Sequence, residues 1–340
     1  MKHLVIGGAG FIGSNLAHAL LIQGDSVTVL DNLSRPGSQK NLDWLQSLHP
    51  NLEFLKANIV KDQDLLNQAV KSADRVYHLA AQVAVTNSVV DPRHDFEINA
   101  LGTFNVLEAL RLFNPRATLI FASTNKVYGN LDNLEIEETE SRYKFKNING
   151  VNELQSLDFH SPYGCSKGCG DQYVRDYSRI YSLNTIVFRQ SCIYGPRQFG
   201  VEDQGWVAWF VIALMTHQPI TIYGDGKQVR DLLYVDDLIH AYQMAADNIS
   251  KTRGEVFNLG GGPNNSISIY FDFKKLLEKL FDKDIVAPFA PTRPGDQKIY
   301  VSDIAKAKKY FAWEPKINVE TGLKNLYLWV KDNLSLFSHE

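Results

Sequence analysis

Short runs of β-branched and apolar residues alternate with stretches of helical periodicity through the first half of the chain. His3–Gly7, Ser26–Asp31, Leu52–Asn58, Arg75–Ala81, Ala117–Thr124 and Thr185–Gln190 read as strands. Phe11–Gln23, Phe96–Phe113 and Pro162–Tyr181 read as helices. The strands are apolar almost without interruption, which suits a parallel sheet covered on both faces. Alternation of this kind predicts an α/β fold: a doubly wound Rossmann sheet joined by right-handed crossovers.

The rhythm changes after residue 190. Glycine and proline become frequent, at Gly195-Pro196, Gly224, Gly226 and Gly260 to Pro263, and aromatic residues gather at Trp206, Trp209 and Phe210. We read residues 1–190 as a dinucleotide-binding domain and 191–340 mainly as a smaller C-terminal α/β substrate lobe. A helix over Asp237–Asp247 and a strand over Val256–Leu259 place segments around 234–260 back on the first domain. Residues 130–160 form a long polar connection, expected to be a wall or lid of the site.

Composition narrows the function classes. The 340 residues are 44% hydrophobic and 21% charged, ordinary values for a globular chain. Thirty-five basic against 38 acidic residues give a net charge of −3, which argues against a nucleic-acid partner. Cys165, Cys169 and Cys192 are too few for a paired disulfide framework and lack zinc-site spacing, so no metal is expected. The apolar start is broken by Gly7, Gly8, Gly10, Gly13, Asn15 and His18, unlike a signal peptide, and no run reaches a membrane span. A cytoplasmic protein is expected.

Gly7, Gly10 and Gly13 sit where a strand gives way to a helix. Glycines there allow a tight turn and close approach of a pyrophosphate to the helix N-terminus. Asp31 ends the second strand 18 residues after Gly13, close to the usual spacing of about 20. Its carboxylate can accept from ribose hydroxyls and would repel a 2′-phosphate, so NAD is expected rather than NADP, despite the nearby Arg35.

Tyr163 and Lys167 share one helix face, behind the start signal Ser161-Pro162. The spacing alone is weak, because Tyr223/Lys227, Tyr270/Lys274 and Tyr327/Lys331 match it equally. Context separates the pair: a strand ending in Ser123-Thr124 places a hydroxyl at the sheet edge where ligands bind. Oxidising a secondary alcohol needs a base for its hydroxyl proton. A phenol of pKa about 10 must be lowered by about 3 units, roughly 4 kcal/mol, to serve at neutral pH. Lys167 and a positive nicotinamide are the expected sources, with Thr124 holding the substrate hydroxyl.

With these residues the chain resembles the extended short-chain dehydrogenase/reductases of the NAD-dependent sugar-nucleotide epimerase/dehydratase family. The resemblance runs through Gly7-Gly-Ala-Gly-Phe-Ile-Gly13, His78-Leu-Ala-Ala81, Asn99-Ala-Leu-Gly-Thr103, Ser123-Thr-Asn-Lys-Val-Tyr-Gly129, Tyr194-Gly-Pro-Arg197, Gly224-Asp-Gly-Lys-Gln-Val-Arg-Asp231 and Arg293-Pro-Gly-Asp296. A narrower resemblance, to members acting at C2 of a CDP-linked sugar, rests on Asp31-Asn-Leu-Ser-Arg35, Leu157-Asp-Phe-His-Ser-Pro-Tyr-Gly-Cys-Ser-Lys167 and the stretch from Arg197-Gln-Phe to Asp203-Gln-Gly-Trp206.

The resemblance implies an isomerase with NAD as cofactor and a nucleotide-sugar substrate, a CDP-sugar favoured. It assigns Gly7, Gly10, Phe11, Ile12 and Gly13 to the cofactor pyrophosphate, and Asp31, Asn32, Ser34 and Arg35 to the adenosine ribose and its surroundings. Asn58 and Ile59 border adenine, where many relatives carry Asp; Asn58 keeps a carbonyl acceptor without the charge. Leu79, Ala80, Gln82 and Asn99 line the cofactor cleft beside Tyr163 and Lys167. Thr124, Asn125, Lys126, Gln190, Arg230 and Arg293 meet the substrate, the two arginines at its pyrophosphate. Trp206, Trp209 and Tyr223 are candidates for the base pocket or for core. Related 4,6-dehydratases have Asp-Glu after the threonine; Asn125 and Lys126 cannot do that acid–base work. A UDP-sugar 4-epimerase, or a non-catalytic NAD-binding protein, remains the alternative reading. The Phe96–Phe113 and Pro162–Tyr181 helices resemble those that pair across a family dimer, so a homodimer or higher homo-oligomer is expected.

Overall fold

The computed structural model describes residues 1–293 and 295–337; Pro294, inside the Arg293-to-Asp296 motif, lies outside the described residues. Five strands open the chain: β1 (Lys2–Ile6), β2 (Ser26–Asp31), β3 (Glu53–Lys56), β4 (Arg75–His78) and β5 (Thr118–Thr124). Asn184–Gln190 and Val256–Leu259 complete a seven-stranded sheet, in the order Val256–Leu259, Asn184–Gln190, β5, β4, β1, β2, β3. Every neighbouring pair is parallel. The order reverses between β1 and β4, and a ligand crevice is expected at the carboxyl ends of those strands.

The continuous apolar strands are explained by two buried faces. Val5 packs with Leu16 and Leu20 of the first helix, α1 (Phe11–Ile22), and with Leu238 and Tyr242 of the Val235–Asp247 helix. Leu4 and Ile6 face the other way, onto Leu66, Val106, Leu110 and Val174. A third core, around Phe210, Phe273, Leu323 and Leu326, belongs to the later part of the chain. There Val229–Tyr234 pairs with Cys192–Tyr194, Ser266–Ser268 and Ile299–Tyr300.

Three expectations are corrected. The strand from Arg75 stops at His78, and Leu79–Ala81 turn into the crevice instead. The helix expected over 96–113 starts at Pro92 and carries a π-helical turn over Glu97–Leu101, a widening common at functional sites. The 130–160 connection holds a hairpin, Ile136–Glu138 with Tyr143–Phe145, and is pinned through Val151 to Val301 and Asp303. None of its residues lines either large cavity, so it buttresses the site from outside.

Candidate active site

The β1-to-α1 turn is glycine for steric reasons. Gly7 has a φ of +81°, and a Cβ there would stand 2.5 Å from the backbone nitrogen of Ala80. A Cβ on Gly13 would stand 2.2 Å from the carbonyl oxygen of Gly7. Gly10 differs: it lines the cleft as the α1 N-cap, and its Cβ would meet only the Gly7 oxygen, at 3.2 Å. A side chain there would enter the cleft, close to the free N–H groups of the first helical turn.

This first cleft is lined by Gly7, Gly10, Phe11, Ile12, Gly13, Asp31, Asn32, Ser34, Arg35, Asn58, Ile59, Leu79 and Ala80, with Tyr163 and Lys167 at its far end. Asp31 accepts from the Leu33 N–H at 2.8 Å and the Ala9 N–H at 3.1 Å. Burial pushes its carboxyl pKa up, while those N–H groups and Arg35 oppose the rise. Arg35 does not pair with Asp31; it donates to the Gln204 side-chain oxygen at 2.5 Å.

Two assignments change at the edge of this cleft. The Asn58 carbonyl oxygen already accepts from the Val60 and Lys61 N–H groups, at 2.8 and 3.3 Å, so its amide N–H₂ is the group left to face a ligand. Gln82 and Asn99 lie behind the wall. Asn99, 1% exposed, accepts from the Gln82 N–H at 2.9 Å and donates to the Gln82 carbonyl at 3.0 Å. They shape the lining at Leu79, Ala80 and Val83 instead of forming it.

A second cavity meets the first at Phe11, Ile12, Ser123, Gln190 and Tyr163. Its lining brings together Thr124, Asn125, Lys126, Gln190, Arg230 and Arg293, as expected, with Trp206, Trp209 and Tyr223. Tyr163 stands at the junction, on the first turn of the Ser161–Tyr181 helix, where the Thr124 hydroxyl favours its ionised form. Its phenol pKa is pushed up to about 12 by burial; Asp95 adds to the rise, and Thr124 and Arg35 oppose it.

Lys167, on the next turn, does not act on the phenol directly. Its ammonium donates to the Ala122 carbonyl at 2.6 Å and lies 4.5 Å from the Phe121 ring centre. Burial lowers its pKa to about 8, with Asp171 and Asp95 holding it up. Lys126 is a second buried ammonium, on the substrate side, bonded to the Gly295 carbonyl at 2.9 Å. Burial, and then Arg230, bring its pKa down to about 8. Asn125 donates to Gln297 at 3.1 Å, and Gln190 donates to the Tyr242 hydroxyl.

The two arginines are held by residues that sequence reasoning missed. Arg230, 4% exposed, pairs with Asp296 and donates to the Gln297 carbonyl at 2.6 Å. Arg293 stacks 3.6 Å from the Tyr223 ring centre, pairs with Asp203 at 3.0 Å and donates to the Glu202 carbonyl at 2.9 Å. Asp296 closes the Arg293-to-Asp296 motif and Asp203 lies in the Arg197-to-Trp206 stretch, but each pairs with a cation from a distant segment of the chain.

A family described as GDP-mannose 4,6 dehydratase matches residues 4–326. The chain belongs to that family. A CDP-paratose 2-epimerase of Salmonella typhi is 47% identical over 97% of this chain and 99% of its own length. A putative UDP-glucose 4-epimerase of Methanocaldococcus jannaschii is 34% identical over 97% and 98%. Among solved family structures, the UDP-glucuronic acid 4-epimerase of Bacillus cereus, in complex with UDP-glucuronic acid and NAD, superposes with a TM-score of 0.83 at 30% identity, covering 98% of this chain and 99% of that one. The family fold is therefore the fold described above. No helix among the described residues is long and apolar enough to cross a membrane.

Proposed function

We propose that this chain is an NAD-dependent nucleotide-sugar 2-epimerase that interconverts CDP-paratose and CDP-tyvelose. The observation that carries the reading is the position of Tyr163 at the junction of the two cavities, with Thr124 beside it in the lining of the second. Near full-length similarity to a CDP-paratose 2-epimerase supports C2 and the cytidine nucleotide.

The first cleft fits NAD. The α1 N–H groups beside Gly10 suit a pyrophosphate, and Asp31 retains acceptor capacity for ribose hydroxyls. NAD bound there, between the α1 N-terminus and Tyr163, would supply a reversible hydride acceptor and a positive charge that favours the ionised phenol. Thr124 holds the C2 hydroxyl, and Tyr163 takes its proton as the carbon is oxidised. The keto sugar turns in the wider second cavity while Arg230 and Arg293 anchor its pyrophosphate. Tyr163 then returns the proton as C2 is reduced on the opposite face. Lys126 and Asn125 stand where related dehydratases carry a carboxyl pair, so the carboxyl acid and base for elimination of water are missing.

Incubation with CDP-paratose and with UDP-glucose, followed by NMR of the products, tests this reading. Inversion at C2 of the CDP-sugar is expected. Inversion at C4 of UDP-glucose alone would replace the reading with a 4-epimerase.

An oligomer and a cytoplasmic setting belong to the same proposal. Phe96, Leu101, Phe104, Leu112, Tyr173, Ile180 and Tyr181 are exposed on the 92–113 and 161–181 helices, an apolar face that a second copy would cover. The three cysteines are free thiols, in keeping with a reducing compartment. Light scattering showing only monomer would count against the oligomer.

A further inference from the structure

Lys167 is 3% exposed, and its ammonium bonds only to a neutral acceptor, the Ala122 carbonyl. A buried ammonium needs a compensating charge. Asp171, one turn further along the same helix, is already matched: it takes two bonds of 2.9 Å from Arg189 and one of 2.8 Å from the Ser123 hydroxyl.

Asp95 is different. It is 0% exposed, on the short helix before the π turn. One carboxylate oxygen accepts from the Gln82 amide at 2.9 Å and the Asn99 amide at 3.1 Å. The other accepts from the Ser166 hydroxyl, 2.5 Å away, on the residue next to Lys167. All three donors are neutral. The knot therefore fixes a carboxylate under the Tyr163–Lys167 turn without cancelling its charge.

We infer that Asp95 is a second counter-charge of Lys167 beside Asp171, a positioning residue that tunes the pH range in which Tyr163 and Lys167 work. The inference rests on Tyr163 being the base of the proposed reaction. The groups that share this field are Tyr163, Lys167 and Asp171 on the 161–181 helix, His78 facing Lys167 from β4, His94 beside Asp95, and Arg35 facing Tyr163 from the loop after β2. A negative charge at Asp95 raises the pKa of both Tyr163 and Lys167. Removing it lowers both, so the two limbs of the pH profile move the same way.

Asp95→Asn keeps the shape of the knot: its amide oxygen can accept from Gln82 and Asn99, and its N–H₂ can donate to Ser166. The pH–rate profile of the NAD-loaded enzyme is expected to shift to lower pH on both limbs by roughly half a unit or more, below the full effect of a directly paired charge. Asp95→Ser, a second neutral replacement, gives the same shift if the first variant folds poorly. Ser166→Ala, which removes a bond and keeps the charge, leaves the limbs in place. An NMR titration of the ring-labelled Tyr163 phenol in the NAD-loaded protein reads the shift without substrate. It therefore separates failure of this inference from a wrong substrate assignment. Lower activity with both limbs and the phenol titration unmoved, or an equal shift in Ser166→Ala, would overturn it.

Discussion

The Lys167 ammonium is bonded to the Ala122 carbonyl oxygen at 2.6 Å, on the strand whose end carries Thr124. The lysine is thereby anchored to β5, and the Thr124 hydroxyl at the end of that strand favours the ionised form of Tyr163. In the proposed reaction the two residues of the motif have separate duties: one supplies positive charge from a fixed point, and the other moves the proton.

Tyr163→Phe removes the proton carrier and keeps the ring. Turnover should fall by about 10²- to 10⁴-fold, the usual contribution of a positioned acid–base group. Far-ultraviolet circular dichroism should be unchanged. Near-normal turnover in an NMR product assay would reject Tyr163 as the base.

Arg230→Met leaves Asp296 as a carboxylate without its cation and removes one anchor of the substrate pyrophosphate. Loss of a charge-assisted contact of about 1.5–3 kcal/mol corresponds to a rise in KM of about 10- to 100-fold. Steady-state kinetics should show kcat less affected than KM. An unchanged KM would place the pyrophosphate elsewhere.

Asp31 is the residue that should exclude a 2′-phosphate. Asp31→Ser removes that charge while Arg35 stays in the cleft. Calorimetry should then show weaker NAD binding and stronger NADP binding than in the parent chain. A variant that still excludes NADP would show that discrimination lies outside Asp31.

His78 is buried beside Phe121, and burial lowers its pKa to about 3. Its Nε2 meets the Thr103 hydroxyl at 3.0 Å, and Nδ1 has no partner among the described residues. The sign follows from the lowered value. The unfolded chain binds the proton first, so stability from the neutral ring is present above pH 6.5 and is lost as pH falls toward 3. The loss is roughly 1.4 kcal/mol per pH unit over that window, as an order of magnitude. Urea denaturation of the parent and of His78→Gln at several pH values checks it: the variant should lose less stability between neutrality and pH 4.

Much of this site was legible along the chain because its parts are local. The glycine turn, Asp31 and the Tyr163/Lys167 pair each declare themselves within a few residues of a strand end or a helix start. The sheet was legible because two buried faces write unbroken apolar strands. What stayed hidden depends on contacts between distant segments. Asn58 looks like an adenine acceptor until its carbonyl is found closing its own turn. Asn99 opens a family motif and Gln82 directly follows another, yet they bond to each other behind the wall. Asp95 carries no motif at all. Its place is set by the π turn, which brings Asn99 back onto it, and by Ser166 arriving from 71 residues away.

In the proposed reaction C2 is oxidised and then reduced by return of the same hydrogen. CDP-paratose deuterated at C2 tests it most directly, in ordinary water and with product analysis by NMR and mass spectrometry. The expected result is CDP-tyvelose that keeps its deuterium at C2, with no net accumulation of reduced cofactor. Washout of the deuterium into solvent, or inversion confined to C4, would contradict the account.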